Sequence, residues 1–502
     1  MSEEYIKKIL SANVYDVAIE SPISHANFLS KRLGNTILIK REDLQPVYSF
    51  KLRGAYNKML QLTADEKKRG VVAASAGNHA QGVALSANKL NLNATIVMPE
   101  TTPGIKVVSV KEQGAEVILH GDNFNDALVY AKKLEAERDL VFIHPYDDPA
   151  VIAGQGTIGM EICRQYPDTI EALFIPVGGG GLVAGVGTYM KYLRPEVKII
   201  AVESEESACL KAALAADERV ILDKVGIFAD GVAVKQIGEE TFKLCKNCVD
   251  EVITVSTDEI CAAIKDLFED TRSIAEPSGA LALAGLKKYT EKTGCYDKTL
   301  LAIESGANVN FDKLRFISEV AEQRECLLAV RIPEEPGSFR QFCSLLGDHS
   351  ITEFNYRHKL NEDALVFVGV ELKHKQNELQ TLIQNLESSD YAVNDLTNDE
   401  VAKLHVRHMV GGHGSKSADT ETVFTIDFPE KAGALMHFLH VLNDRWDISL
   451  FHYRNEGSVV GRGLIGLQLK QQDRTTLIDA LDQIGYNYEC VDNDNAYKLF
   501  LK

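Results

Sequence analysis

The sequence predicts an α/β protein built on parallel sheets, followed by two smaller α+β units that repeat one another. Short, continuously apolar runs alternate with amphipathic stretches over residues 36–320, polar or glycine-rich turns follow several of those runs, and a set of motifs recurs at fixed spacing beyond residue 325. The strand-like runs are TILIK (36–40), VVAAS (71–75), ATIVM (94–98), AEVIL (115–119), ALFIPV (172–177), KIIAV (198–202) and TLLAI (299–303). Between them, residues 78–90, 104–113, 123–137 and 182–193 carry helical amphipathicity. Strands that are apolar without alternation are buried on both faces, as they are when crossover helices cover a parallel sheet. Ligands of such sheets are expected at the C-terminal ends of the strands.

The repeat is read directly. PEEPGSFRQFCSLL (333–346) matches PEKAGALMHFLHVL (429–442), with Pro333 to Pro429 and Phe342 to Phe438 both shifted by 96 positions. ITEFNYR (351–357) matches ISLFHYR (448–454), with Tyr356 to Tyr453 and Gly369 to Gly466 shifted by 97. One offset held over tens of residues marks duplicated units, each reading strand, turn, helix, strand, strand. The polar, glycine-rich stretch MVGGHGSKSADTE (409–421) is expected to link them. The expected organisation is a first body over 1–325 with a smaller subdomain at about 45–150, a first repeat over 326–408, and a linker with the second repeat over 409–502. A chain of 502 residues suits about three domains.

Composition is that of a soluble globular protein, with 45% hydrophobic and 25% charged residues. A net charge of -18 argues against nucleic acid or an acidic membrane as partner. The N-terminal MSEEYIKKIL shows no apolar h-region or cleavage pattern, and no run is long enough to span a bilayer, so a cytoplasmic location is expected. Nine cysteines scattered through the chain do not form a disulfide framework. Cys245 and Cys248 have CxxC spacing, but a structural zinc site needs a second pair and Cys261 and Cys295 each stand alone. No metal is expected.

Four segments carry chemistry together. SAGNH (75–79) places a hydroxyl, small residues and Asn78 where a strand passes into a helix, a place that attracts anions; Ser75 and Asn78 could equally be helix caps. In PVGGGGLVAG (176–185), Gly178, Gly179, Gly180 and Gly181 follow a strand. Four glycines are costly in conformational entropy, and their bare amides can close around a phosphate. A dinucleotide site with Glu203 on the ribose stays open, although the glycine spacing fits the usual fingerprint poorly. AIESGANV (302–309) puts Ser305 at a strand end. In VYSFKLRGAY (47–56), Lys51 follows Phe50 and precedes Arg53. It is either a lysine snorkelling from a helix or an amine poised to take an aldehyde cofactor as a Schiff base.

SFKLRGAYN, SAGNHAQG, GGGGL and ESGAN, in this order, resemble the fold-type II pyridoxal-phosphate enzymes, and most closely the threonine deaminases (threonine ammonia-lyases). The likeness to threonine deaminases within that superfamily rests on REDLQPVYSFKLRGAYNKM, on SAGNHAQG and on the C-terminal FNYR and FHYR repeats, and the biosynthetic form of the family carries such a C-terminal pair of ACT-like regulatory units. The resemblance covers the whole chain. It implies that Lys51 carries pyridoxal 5′-phosphate and takes the Cα proton of L-threonine, and that Phe50 lies against the cofactor ring. Asn78 would bond the ring's 3′ oxygen, and Gly178–Gly181 with Leu182 would bind the phosphate. Ser75 with the turn residues Ala76, Gly77 and His79 would hold the substrate carboxylate. Ser305 would face the pyridine nitrogen, where a hydroxyl is too weak an acid to sustain a long-lived carbanion, so loss of the β-hydroxyl is favoured.

The products would be 2-oxobutanoate and ammonia, in the first committed step of isoleucine biosynthesis, with L-serine a lesser substrate. Ala76 stands where related serine racemases have a second serine, so racemisation should be slow. Those relatives also bind a divalent ion, and here the acidic partner of Glu203 is replaced by Cys209. The resemblance further implies a homotetramer inhibited by isoleucine, with valine opposing it. Tyr356, Arg357, Tyr453 and Arg454 are the candidate effector residues. A serine dehydratase, a threonine synthase (which would need a second phosphate cradle) and an amino-acid sensor with an idle lyase part are the alternatives.

Overall fold

The computed structural model describes residues 2–320, 325–333, 342, 345–346, 350–357, 364–372, 375–406, 421–429, 437–438, 441–442, 445–454, 460–469 and 473–500, and divides into two units, Met1–Ala321 and Glu322–Lys502. The first unit contains strands β1 (Ile23–His25), β2 (Thr36–Arg41), β3 (Val71–Ala74), β4 (Ala94–Met98), β5 (Glu116–Leu119), β6 (Val141–Phe142), β7 (Ala172–Pro176), β8 (Lys198–Ser204), β9 (Glu251–Val255) and β10 (Thr299–Glu304). They form a six-stranded sheet in the order β1-β2-β10-β7-β8-β9 and a four-stranded sheet in the order β5-β4-β3-β6. All neighbours are parallel except β1, which pairs antiparallel with β2 at the edge.

The continuous apolarity of the strands has a direct cause. On β3, Val71 and Ala73 join a core with Ala55, Met59, Ala80 and Val83, from the helices Lys51–Leu60 and Asn78–Leu90. Val72 and Ala74 point the other way, into a core with Ala127, Ala131 and Leu134 of the helix Phe124–Glu137. Both faces are covered, so no position on the strand can be polar. β5 is an edge strand with exposed ends, which its apolar sequence does not reveal. The sequence pattern also passes over β1, β6 and β9, which are short or carry polar residues.

The second unit holds β11 (Glu325–Ile332), β12 (Ser350–Arg357), β13 (Ala364–Glu371), β14 (Ala392–Asp395), β15 (Glu421–Pro429), β16 (Asp447–Arg454), β17 (Val460–Gln468) and β18 (Tyr488–Cys490). The two antiparallel sheets have matching orders, β12-β13-β11-β14 and β16-β17-β15-β18. Duplication extends to fine detail. Leu327 pairs with Gly369 as Val423 pairs with Gly466, and register shifts occur between Ile351 and Glu353 and between Ile448 and Leu450. Each repeat has a further helix and a fourth strand beyond the expected strand, turn, helix, strand, strand: Lys375–Glu387 before β14, and Arg474–Ile484 before β18. A shared core containing Leu327, Phe367, Leu396, Val423, Leu464 and Tyr497 joins the repeats. The glycine-rich 409–420, and the turns PEEPG and PEKAG beyond their prolines, lie outside the described residues.

Candidate active site

Three of the four chemical segments are tied together by hydrogen bonds. The Phe50 N–H donates to the Ser305 carbonyl at 3.3 Å, Ser49 bridges Gly306, and the Ala307 N–H donates to Tyr48 O at 2.9 Å. Asn308 then spans outward, its amide donating to Val47 O at 2.8 Å and to Asn78 Oδ1 at 2.7 Å. Tyr48 holds φ 55°, a strained value for a large side chain, so the chain turns abruptly into the helix that begins at Lys51. The segment 230–232 faces the fourth stretch: a Cβ on Gly178 would lie 2.9 Å from Val232 Cα, and one on Gly231 would lie 2.7 Å from Ser278 Oγ.

Lys51 is half-buried, and desolvation pulls its pKa below the usual lysine range, with the charges of Glu276 and Asp230 opposing the shift. Those two carboxyls differ sharply. Burial, with the negative charge of Asp230 nearby, pushes Glu276 up to about 7, while its Oε1 accepts from Asn78 Nδ2 at 2.5 Å. Asp230 also feels desolvation, but Lys313 and Lys106 hold it well below the usual carboxylate range, Lys106 Nζ lying 2.8 Å from Oδ2. Phe50 is half-buried against the core of the large sheet.

The turn after β3 settles one reading left open by the sequence. Ser75 Oγ accepts from the Gly77 N–H at 3.2 Å, and Asn78 is engaged with Glu276 and Asn308, so neither caps the helix Asn78–Leu90. The N-cap residue is Gly77, which has no side-chain cap bond, and a Cβ there would meet nothing within 4 Å. The first amides of the helix are therefore open to an anion, with Ala76 and Ser75 at the rim. His79 turns its ring inward: Nε2 lies 2.8 Å from the Ile143 carbonyl, and burial followed by the Lys51 charge lowers its pKa to about 3. A neutral ring donating to that carbonyl leaves His79 its backbone N–H as the one donor it can offer an anion.

The tetraglycine turn is built alike. The helix Gly181–Leu193 starts from Gly180 at φ +91° with no side-chain cap. A Cβ on Gly179 would stand 2.2 Å from the Tyr146 ring, so only glycine fits. Leu182 is buried in the large core and offers the turn only its backbone. Two uncapped helix N-termini thus follow two parallel strands, β3 and β7, with Lys51 and Ser305 in the same unit. Ser305 itself is buried, its Oγ donating to Ser278 O at 3.3 Å.

Glu276, Asp230, Lys106, Asn308 and Tyr146 are missing from the sequence reading. Asn308 stood within the AIESGANV segment and could have been found there. Glu276 precedes Pro277 at a helix start and reads as an ordinary boundary. Glu203 is accounted for differently: its carboxylate accepts from the Leu210 and Lys211 N–H groups at 2.8 and 2.9 Å, capping the helix Cys209–Ala216. Cys245 and Cys248 are buried on one helix, Glu239–Cys248. Among the described residues no group of three or more His, Cys, Asp or Glu stands together as a metal set. Tyr356 and Arg357 lie opposite Val366 and Leu365 on β12, and Tyr453 and Arg454 opposite Gly463 and Arg462 on β16; their side chains are outside the described residues.

The residues present fit pyridoxal 5′-phosphate. The glycine turn with its uncapped helix start, the amine with a lowered pKa, and two buried hydroxyls without hydrogen-bond partners, Ser49 and Ser278, meet the needs of an anionic aldehyde with a polar ring. The comparisons agree. Residues 14–306 match the family described as pyridoxal-phosphate dependent enzyme, and residues 317–406 and 412–501 match the C-terminal regulatory domain of threonine dehydratase. The chain is 53% identical over 506 residues to the L-threonine dehydratase biosynthetic IlvA of Burkholderia multivorans, covering 100% of this chain and 99% of that one. It is 51% identical over 501 residues to the protein of the same name from Escherichia coli, covering 99% and 97%. The solved structure of the processed form of threonine deaminase isoform 2 from Solanum lycopersicum matches with TM-score 0.63 and 51% identity, covering 64% of this chain and 93% of that one. The chain belongs to the pyridoxal-phosphate dependent enzymes, and within them to the biosynthetic threonine dehydratases with a C-terminal regulatory domain.

Proposed function

We propose that the protein dehydrates and deaminates L-threonine to 2-oxobutanoate and ammonia, at the entry to isoleucine biosynthesis. The observation that carries this reading is the pair of uncapped helix N-termini in one unit with a lysine of lowered pKa. One terminus suits a substrate carboxylate and the other a cofactor phosphate. When bound, pyridoxal 5′-phosphate supplies an electron sink for the pair left by the Cα proton. The rest falls to the chain. Lys51 would hold the cofactor through its side-chain nitrogen and, set free as an amine when the substrate's amino group takes its place, would take the proton at Cα. Ser75 and the amides of Ala76, Asn78 and His79 orient the carboxylate, and Gly77, whose own N–H is taken by Ser75 Oγ, leaves room for it. Gly178–Gly181 and the Leu182 N–H hold the phosphate. Phe50 flanks the ring, Asn78 is aimed by Glu276 and Asn308, and the Ser305 hydroxyl stands at the ring nitrogen. Ala76 offers no proton to the opposite face of Cα, which disfavours racemisation. The test is direct: the holoenzyme should release 2-oxobutanoate from L-threonine, and borohydride reduction should remove its visible absorbance and label Lys51. A label on another residue, or no keto acid, overturns the assignment.

For the second unit we propose a pocket for a free amino acid, isoleucine as inhibitor and valine opposing it, in a cytoplasmic homotetramer. The family match over both repeats and the equal places of Tyr356–Arg357 and Tyr453–Arg454 on β12 and β16 support this. Among the described residues no helix is long and apolar enough to cross a membrane. An arginine can pair bidentately with the effector carboxylate. In the full-length protein, Tyr356→Ala or Arg454→Ala should raise the isoleucine concentration for half-inhibition by about tenfold, within usual coupling energies, with uninhibited turnover unchanged. Unaltered inhibition in both variants would remove these residues from the effector site.

A further inference from the structure

The tetraglycine turn owes its shape to groups outside it. Thr241 Oγ1 donates to the Gly179 carbonyl at 2.7 Å, and the Gly238 N–H donates to the same oxygen at 3.3 Å. Cys209 Sγ donates to the Gly178 carbonyl at 3.4 Å. In a planar trans peptide the C=O and the following N–H point in opposite directions. Pinning the Gly179 oxygen on the Thr241 side therefore turns the Gly180 N–H to the other side, and pinning the Gly178 oxygen does the same for the Gly179 N–H. Glycines have no side chain to hold these planes, and a free turn would populate both orientations.

Thr241 is itself fixed. It lies in the first turn of the helix Glu239–Cys248, whose opening amides are taken by one carboxylate: Asp147 Oδ2 accepts from Glu239 N at 2.8 Å, and Oδ1 from Glu240 N at 2.9 Å and Thr241 N at 3.2 Å. Asp147 is set in turn by its own N–H, which donates to His144 Nδ1 at 2.8 Å, and the neighbouring Tyr146 ring packs on Gly179. Nothing in the sequence joins HPYDD (144–148), the glycines and Thr241.

We infer that Thr241, held by Asp147, is a positioning residue that sets the peptide planes of the glycine turn so that its amides face the cofactor phosphate. This rests on the reading that the turn binds that phosphate. Thr241 touches no reacting atom; its effect is on how strongly the turn takes a dianion.

The experiment compares pyridoxal 5′-phosphate with pyridoxal, which lacks the phosphate, in spectroscopic titrations of apoenzyme. Wild type should bind the phosphorylated form much more tightly. Thr241→Val, which keeps the shape and removes the hydroxyl, should weaken pyridoxal 5′-phosphate binding by about three- to tenfold, the usual worth of one hydrogen bond, and leave pyridoxal binding unchanged. Thr241→Ser should restore the wild-type value. If Thr241→Val weakens both ligands equally, or neither, the positioning inference is overturned while the phosphate reading stands. If wild type itself does not distinguish the two ligands, the phosphate reading fails and the inference falls with it. Should Thr241→Val not fold, Asp147→Asn gives the same test, with selective loss of phosphate-dependent affinity expected and equal loss for both ligands overturning it.

Discussion

Lys51→Ala is expected to lower threonine turnover by at least about 10³-fold while leaving the fold intact, since proton transfer by a positioned base is worth about 10²–10⁴ and, in the proposed function, the same amine also carries the cofactor. Lys51 opens its helix with a half-buried side chain, so truncation deletes little packing. Among neighbouring basic groups, Lys106 is paired with Asp230 at 2.8 Å, and the pKa of His79, lowered by burial to about 3, leaves a ring donating to Ile143. Neither can replace it. The sign of the pH effect follows: desolvation lowers the Lys51 pKa, so the free amine persists to lower pH than on an exposed lysine. Turnover, far-UV circular dichroism and the visible band should be measured together. Substantial deamination by a folded Lys51→Ala protein would end the assignment.

Arg53→Met should cost about 3–5 kcal/mol of stability, because it strands buried carboxylates. Arg53 is wholly buried two residues beyond Lys51. Its Nε and Nη2 each donate to Glu42 at 2.8 Å, and Nη1 and Nη2 donate to Glu161 at 2.5 and 3.1 Å. Lys40 pairs with Glu161 at 2.6 Å, so two buried cations balance two buried anions. Removing the guanidinium leaves two carboxylates facing one ammonium in a fully buried site, out of reach of bulk solvent. Arg53→Lys should be damaging too, since a point charge cannot serve both forks. Urea unfolding midpoints check this; a loss below about 1 kcal/mol for Arg53→Met would show that the network contributes little.

Lys51, the two turns that open uncapped helices and the duplicated units were legible in the chain because each is a local pattern. An aromatic–lysine pair, a run of glycines after an apolar strand, and a repeat at a fixed offset need only neighbours in sequence to be seen. The same locality explains why β3 and β7 could be placed: strands covered on both faces must be apolar throughout. The fourth strand of each repeat was not legible, since Ala392–Asp395 and Tyr488–Cys490 are only four and three residues long, and only pairing to β11 and β15 makes them strands.

Sequence by itself therefore determined the kind of fold, the amine and the glycine turn, and through resemblance the cofactor and substrate. Tertiary structure alone decided which groups tune them. Glu276 lies 198 positions from Asn78, Asp230 lies 124 from Lys106, and Thr241 lies 62 from Gly179, yet each pair is in hydrogen-bond contact. It also decided that Ser75 and Asn78 leave their helix uncapped and that His79 faces the core. The reason is physical. A pKa depends on burial and on charges a few ångströms away, and a peptide plane depends on what holds its oxygen; neither has a period or a spacing along the chain.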